Sequence, residues 1–123
     1  DLGCGPAGTL LYLARRFPAA QFVGVETAPL TFAIAWLRCL AQGNCRVRYQ
    51  SLWRIDLSAF EVVYCFLSPA PMAALWDKAR AQMKPDTWLI SNSFEVPGVP
   101  ADRVVELHGW RQSRLLLWRM GGE

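Results

Sequence analysis

Three glycines, Gly3, Gly5 and Gly8, stand in the spacing Gly-x-Gly-x-x-Gly within DLGCGPAG, directly ahead of a helical apolar pattern. Glycine lets the backbone turn tightly and approach a ligand closely, and a helix that starts just after such a loop aims its free amide groups at whatever lies there. In nucleotide-binding α/β domains the loop follows a buried strand and opens a helix, so this pattern constrains the fold before composition is considered. The sequence begins with Asp1 inside the motif. The strand that normally precedes it is therefore expected to be largely missing, and residues 1–123 to form one N-terminally truncated domain.

The rest of the chain alternates between helix and strand periodicities. Leu10, Leu13, Ala14 and Phe17 predict the buried face of a short helix over 8–17, stopped by Pro18. Residues 21–26, built around Phe22, Val23 and Val25, are too short for a helix and predict a strand buried on both faces. From Pro29, the stripe Leu30, Ala33, Ile34, Leu37 and Ala41 keeps helical spacing as far as Gly43, the expected C-terminal cap. An edge strand over 46–50 and a buried strand over 61–67 follow. The next helix, entered through Ser68 to Pro71, carries the stripe Met72, Leu75, Trp76, Ala79 and Met83. A strand over 87–94 and two runs, 103–107 and 115–120, complete the pattern, the last two as an antiparallel closing pair. This order predicts a Rossmann-like α/β fold with a mostly parallel sheet and helices on both faces. Six Trp in so short a chain predict an aromatic interior.

About twenty residues beyond the glycines, at the end of the next expected strand, Glu26 offers a carboxylate for a ribose diol. Nicotinamide dinucleotides use the same spacing and the same acid, so a NAD-dependent oxidoreductase domain stays open on the glycines alone. Asp1 distinguishes the two. A carboxylate beside the loop attracts the ammonium or sulfonium region of an amino-acid-bearing cofactor and repels a pyrophosphate, which favours S-adenosylmethionine. A cofactor-binding module without catalysis is the alternative from another class.

The motif DLGCGPAG resembles the first motif of the class I S-adenosylmethionine-dependent methyltransferases, an acidic residue before a glycine loop. The resemblance implies that Asp1, Gly3, Cys4, Gly5 and Gly8 cradle the methionine and ribose portion, that Glu26 binds ribose hydroxyls, and that Ser51 lies near adenine. Family members often carry Asp at this last position, where this chain has Ser51 followed by Leu52 and Trp53. More narrowly, YCFLSPAPM, QMKPDTW and LISNSFEVPG resemble small methyltransferases related to the ATP-synthase c-subunit lysine methyltransferase family. That likeness implies a protein lysine as methyl acceptor, with a small molecule as the other expectation.

Methyl transfer from a sulfonium is an in-line displacement, so the protein chiefly positions its reactants and excludes water. Tyr64, Ser68 and Asn92, near expected strand ends, are the candidates to orient or desolvate an acceptor amine, with Phe66, Pro69 and Phe94 as walls of an apolar slot. The only histidine, His108, falls in the turn before the last strand, away from the glycine loop. Cys4, Cys39, Cys45 and Cys65 contain no Cys-x-x-Cys pair, so no metal site is expected and the thiols read as reduced, small hydrophobes. The net charge of +3 is spread without blocks, which argues against a nucleic-acid tail. Arg103, Arg111, Arg114 and Arg119 gather near the C-terminal end and read as a solvated face. No apolar run is long enough to span a membrane, and the cytoplasm is the default compartment.

Overall fold

The computed structural model describes residues 1–108 and 113–121, which divide into two compact units, 1–55 and 56–123. The expectation for Arg111 lies outside the described residues. Among them, no helix is long and apolar enough to cross a membrane.

The first unit contains α1 (Gly8–Arg16), β1 (Phe22–Glu26), α2 (Pro29–Cys39) and β2 (Cys45–Tyr49). β1 and β2 pair in parallel, from Phe22 opposite Cys45 to Glu26 opposite Tyr49. Asp1 and Leu2 run beside β1 as well, also in parallel. The Asp1 nitrogen donates to the Val23 carbonyl at 2.8 Å, Val25 N–H donates to the Asp1 carbonyl, and Leu2 bridges Val25. The core joins Leu10, Leu11 and Ala14 of α1 to Ala35 and Cys39 of α2 and to Cys45 and Val47 of β2.

Three expectations are corrected here. In α1 the buried face runs through Leu10, Leu11 and Ala14, while Phe17 lies beyond the helix and is exposed. In α2 the expected stripe is the outward one: Leu30, Ala33, Ile34 and Leu37 are exposed, and Ala35 and Cys39 are buried. The reason is that α2 is apolar around most of its circumference, so spacing alone does not choose a face, and the small side chains permit the closer approach to the sheet. Gly43 is not the helix cap, because α2 already ends at Cys39 with Leu40 as its C-cap. The turn after it is anchored instead by buried Asn44. Its amide nitrogen donates to the carbonyls of Ala14, Phe17 and Ala20 at 2.9, 3.2 and 2.9 Å, satisfying the backbone where α1 ends.

The second unit opens with a 3₁₀ turn, Leu57–Ala59, capped by the Asp56 carboxylate, which accepts Ser58 N–H at 2.9 Å. It continues with β3 (Val62–Cys65), α3 (Met72–Gln82), β4 (Trp88–Asn92), β5 (Arg103–Leu107) and β6 (Ser113–Arg119). The strand order is β3-β4-β6-β5. β3 and β4 are parallel, whereas β6 runs antiparallel to both β4 and β5 and so lies between them. The expected stripe of α3 is buried at Met72, Leu75 and Ala79, and Trp76 meets Trp118 with ring centroids 6.0 Å apart. Gln82 ties α3 to the 3₁₀ turn by accepting Leu57 N–H at 2.9 Å.

The aromatic interior is narrower than the six Trp predict. Among those described, Trp118 is fully buried, Trp76 and Trp88 are partly so, and Trp36 and Trp53 are exposed. Of the described arginines near the C-terminal end, Arg103 and Arg119 share one side of the β5–β6 pair and Arg114 lies on the other, with Arg114 paired to Glu95 and Arg119 to Asp86. His108 is exposed just past β5. All four cysteines are free and buried.

Candidate functional site

The loop between Asp1 and α1 carries three positive φ angles: Gly3 at 69°, Gly5 at 55° and Ala7 at 68°. Two therefore fall on glycines, for which this conformation costs little, and the third on a buried alanine held by the surrounding turn. Ala7 N–H donates to the Cys4 carbonyl at 3.0 Å, and Leu11 N–H to the Ala7 carbonyl at 2.9 Å, which closes the loop onto α1. A Cβ placed on Gly5 or Gly8 would meet nothing within 4 Å. Both positions thus have open space where a side chain would stand.

Cys4 turns the other way. Its side chain is buried, and burial pushes its thiol up to about 11, so toward the open side of the loop it presents backbone only. Gly24 of β1 makes that possible, because a Cβ there would stand 2.8 Å from the Cys4 sulfur and 2.9 Å from a Leu10 methyl. Sequence spacing gave Gly24 no role. Its place in the middle of an apolar strand was the available signal for close backbone approach.

Glu26, at the end of β1, is drawn back onto the loop. One carboxylate oxygen accepts Gly5 N–H at 3.0 Å, and the other accepts Thr27 N–H at 3.1 Å and Ala28 N–H at 3.0 Å. A carboxylate has about four lone-pair positions, so three donors leave capacity for a hydroxyl. Arg38 of α2, which spacing did not single out, donates to the Pro6 carbonyl at 2.8 Å and secures the loop from its other side.

At the same end of the neighbouring strand, Gln50 N–H donates to the Glu26 carbonyl at 3.1 Å, and Ser51 begins a tight turn. Ser51 Oγ accepts Trp53 N–H at 3.2 Å. Ser51 also lines an open cavity of about 600 Å³ with Thr27, Arg48, Tyr49, Gln50 and Arg54. Asp1 is half-buried, its backbone locked against β1 at the mouth of the loop. The first unit thus gathers the loop, Glu26 and Ser51 at the C-terminal ends of parallel strands, where α/β folds hold their ligands.

In the second unit Asn92 Nδ2 donates to Tyr64 Oη at 3.2 Å, joining residues from the ends of β3 and β4. Asn92 Oδ1 accepts the Ser93 hydroxyl at 2.7 Å. Just past the ends of these strands, the rings of Phe66 and Phe94 lie 6.0 Å apart. Ser68 is exposed in the segment leading to α3, whose N-cap is Pro71 without a side-chain hydrogen bond. Tyr64, Asn92, Phe66 and Phe94 are therefore brought together as neighbours, while Ser68 stands on an approach segment.

Comparison with known proteins adds the following. The ANTKMT methyltransferase domain matches residues 1–103. A protein-lysine N-methyltransferase from Saccharolobus islandicus (strain REY15A) is 25% identical over 126 residues, covering all of this chain and 78% of that protein. The crystal structure of an RNA methyltransferase from Salinibacter ruber in complex with S-adenosyl-L-homocysteine aligns with a TM-score of 0.89 at 27% identity, over 100% of this chain and 80% of that one. PKMT2 from Rickettsia typhi shares the fold with a TM-score of 0.65 at 20% identity, over 80% of this chain and 21% of its own.

Proposed function

The chain belongs to the ANTKMT methyltransferase family and is an S-adenosylmethionine-dependent methyltransferase of class I, and from that premise we propose that its acceptor is the amine of a protein lysine. The observation that carries the acceptor is the match along the whole chain to a protein-lysine N-methyltransferase.

The residues present fit the cofactor. Positive-φ glycines, open space at Gly5 and Gly8, and the first amides of α1 form a cradle that side chains would fill. In this reading the backbone of Gly3, Cys4, Gly5 and Gly8 follows the cofactor, and the Asp1 carboxylate faces its amino-acid end. Glu26 accepts from a ribose hydroxyl, and Ser51 borders the adenine in the cavity it lines with Thr27. Bound there, S-adenosylmethionine supplies an electrophilic methyl group on a sulfonium.

The chain's own contribution on the acceptor side is orientation. A lysine amine must arrive neutral, with its lone pair directed forward and its N–H groups held by oxygens. Tyr64 Oη and Asn92 Oδ1 are such oxygens, fixed by their mutual contacts and by Ser93. The Phe66 and Phe94 rings offer an apolar wall for the aliphatic stem, and Ser68 lies on the approach.

An RNA acceptor is the second reading, favoured by the description of the Salinibacter ruber protein. Transfer of a radiolabelled methyl group to lysine-bearing proteins, to RNA and to small amines separates the possibilities. Methyl-lysine after hydrolysis of the labelled product is expected. Label found only in RNA or in a small amine would overturn the lysine assignment.

A further inference from the structure

α2 exposes an apolar arc that the fold of its own unit does not cover. Trp36, Leu40, Leu37, Leu30 and Ile34 follow one another around the helix, each between 48% and 79% exposed. A helix apolar nearly all round is ordinarily buried on every side, whereas this one uses only Ala35, Cys39 and part of Phe32 for packing. So large a contiguous apolar surface marks an interaction site.

Its surroundings state the chemistry of the partner. Residues 1–55 contain six Arg against only Asp1 and Glu26, and Glu26 is already engaged by three backbone N–H groups. Arg38 stands one helical turn from Ile34, at the margin of the arc. It lines a depression of about 360 Å³ together with Tyr12, Arg15 and Arg16 of α1. Aliphatic side chains, a tryptophan, a tyrosine and three guanidinium groups on one surface are the composition of an element lying in the interface of an anionic bilayer. A second copy meeting this face two-fold symmetrically would set Arg38 and its neighbours against like charges. An RNA strand would find Trp36 and Tyr12 to stack on, but would leave Leu30, Ile34, Leu37 and Leu40 against its charged backbone with no apolar partner.

We propose that the outward face of α2, flanked by Arg15, Arg16 and Arg38, docks the protein peripherally on a membrane surface bearing anionic lipid headgroups. Leu30, Ile34, Leu37 and Leu40 enter the acyl boundary, Trp36 and Tyr12 sit at headgroup level, and the arginines meet the phosphates.

The test is flotation of the full chain with vesicles of phosphatidylcholine, alone or with phosphatidylglycerol, at low and high salt. Binding to the mixed vesicles, falling as salt rises, is expected. Ile34→Ser with Leu37→Ser should reduce partitioning by about tenfold or more. Arg15→Gln with Arg16→Gln should reduce it roughly 20- to 30-fold, from the electrostatic gain of each cation near such a surface. Both variants change exposed side chains outside the cofactor loop, and each should retain S-adenosylhomocysteine binding, which certifies the fold. Absence of vesicle binding, equal binding to neutral vesicles, or unchanged binding of Ile34→Ser/Leu37→Ser overturns the proposal. So does a dimer or an RNA complex that this same variant abolishes while vesicles are ignored.

Discussion

The carboxylate of Glu26 accepts the amide hydrogen of Gly5 at 3.0 Å, across twenty-one residues of sequence, so the acid and the glycine loop form one rigid piece before any ligand arrives. Such preorganisation limits the ordering cost of binding. Glu26→Ala removes the acceptor for Gly5, Thr27 and Ala28 together with the proposed ribose contact. Affinity for S-adenosylhomocysteine should fall by about 1–3 kcal/mol, measured by titration calorimetry. Undiminished affinity would take Glu26 out of the site.

Two glycines should separate stability from binding. Gly24→Ala drives a methyl group into Cys4 and Leu10, at 2.8 and 2.9 Å, and should cost about 1–3 kcal/mol of stability by overpacking. Gly8→Ala meets open space at an ordinary φ, so Tm should stay close to that of the parent while S-adenosylhomocysteine affinity drops. Thermal unfolding and calorimetry on the two variants check this. Equal losses of both properties in both variants would contradict it.

Tyr64→Phe deletes the oxygen that accepts from Asn92 and is proposed to orient the amine. The rate of methyl transfer at saturating cofactor should fall about tenfold to a hundredfold, below the range typical of losing a general base. KM for S-adenosylmethionine should not change. Steady-state kinetics distinguish this from a packing role, which would lower Tm and leave the rate of the folded fraction intact.

The cysteines predict the alkaline limit of stability. Burial pushes Cys4 and Cys65 up to about 11, while Cys45 reaches about 12 through burial and then the Cys39 thiol 2.9 Å away. A thiol in the unfolded chain loses its proton near pH 8.5, so the folded state holds these protons more tightly. The resulting stability is complete below about pH 8.5 and is lost as the pH rises toward about 11 to 12. Tm should be level through neutrality and decline above that threshold. At about pH 8, a disulfide reagent should label the native protein far more slowly than the urea-unfolded one.

Much of this molecule is legible in its residues. The alternation of periods predicts the element order, and the antiparallel closing pair is present as β5 and β6. The glycine loop with Glu26 marks the place where the first unit gathers its polar and open surfaces. What escapes is decided by contact distance. Leu30, Ile34 and Leu37 look like the core face of α2 because they are large and regularly spaced, yet Ala35 and Cys39 face inward, where the helix lies close to the sheet. Gly24 and Asn44 matter for what they let approach or hold in place: a neighbouring thiol in one case, three backbone carbonyls in the other. Neither contact leaves a periodic trace. Arg38 is similar, since its bond to Pro6 joins residues far apart in sequence.

The position of β6 between β4 and β5 imposes an order on biosynthesis. β5 emerges from the ribosome before β6, yet among the described residues its strand pairing is with β6. Through that interval its hydrogen-bonding groups have only solvent or a chaperone to satisfy them, and the growing edge of β4 stands open as well. Insertion of Ser113–Arg119 closes both of these edges in one event, so the sheet of the second unit is completed only when its last described strand arrives.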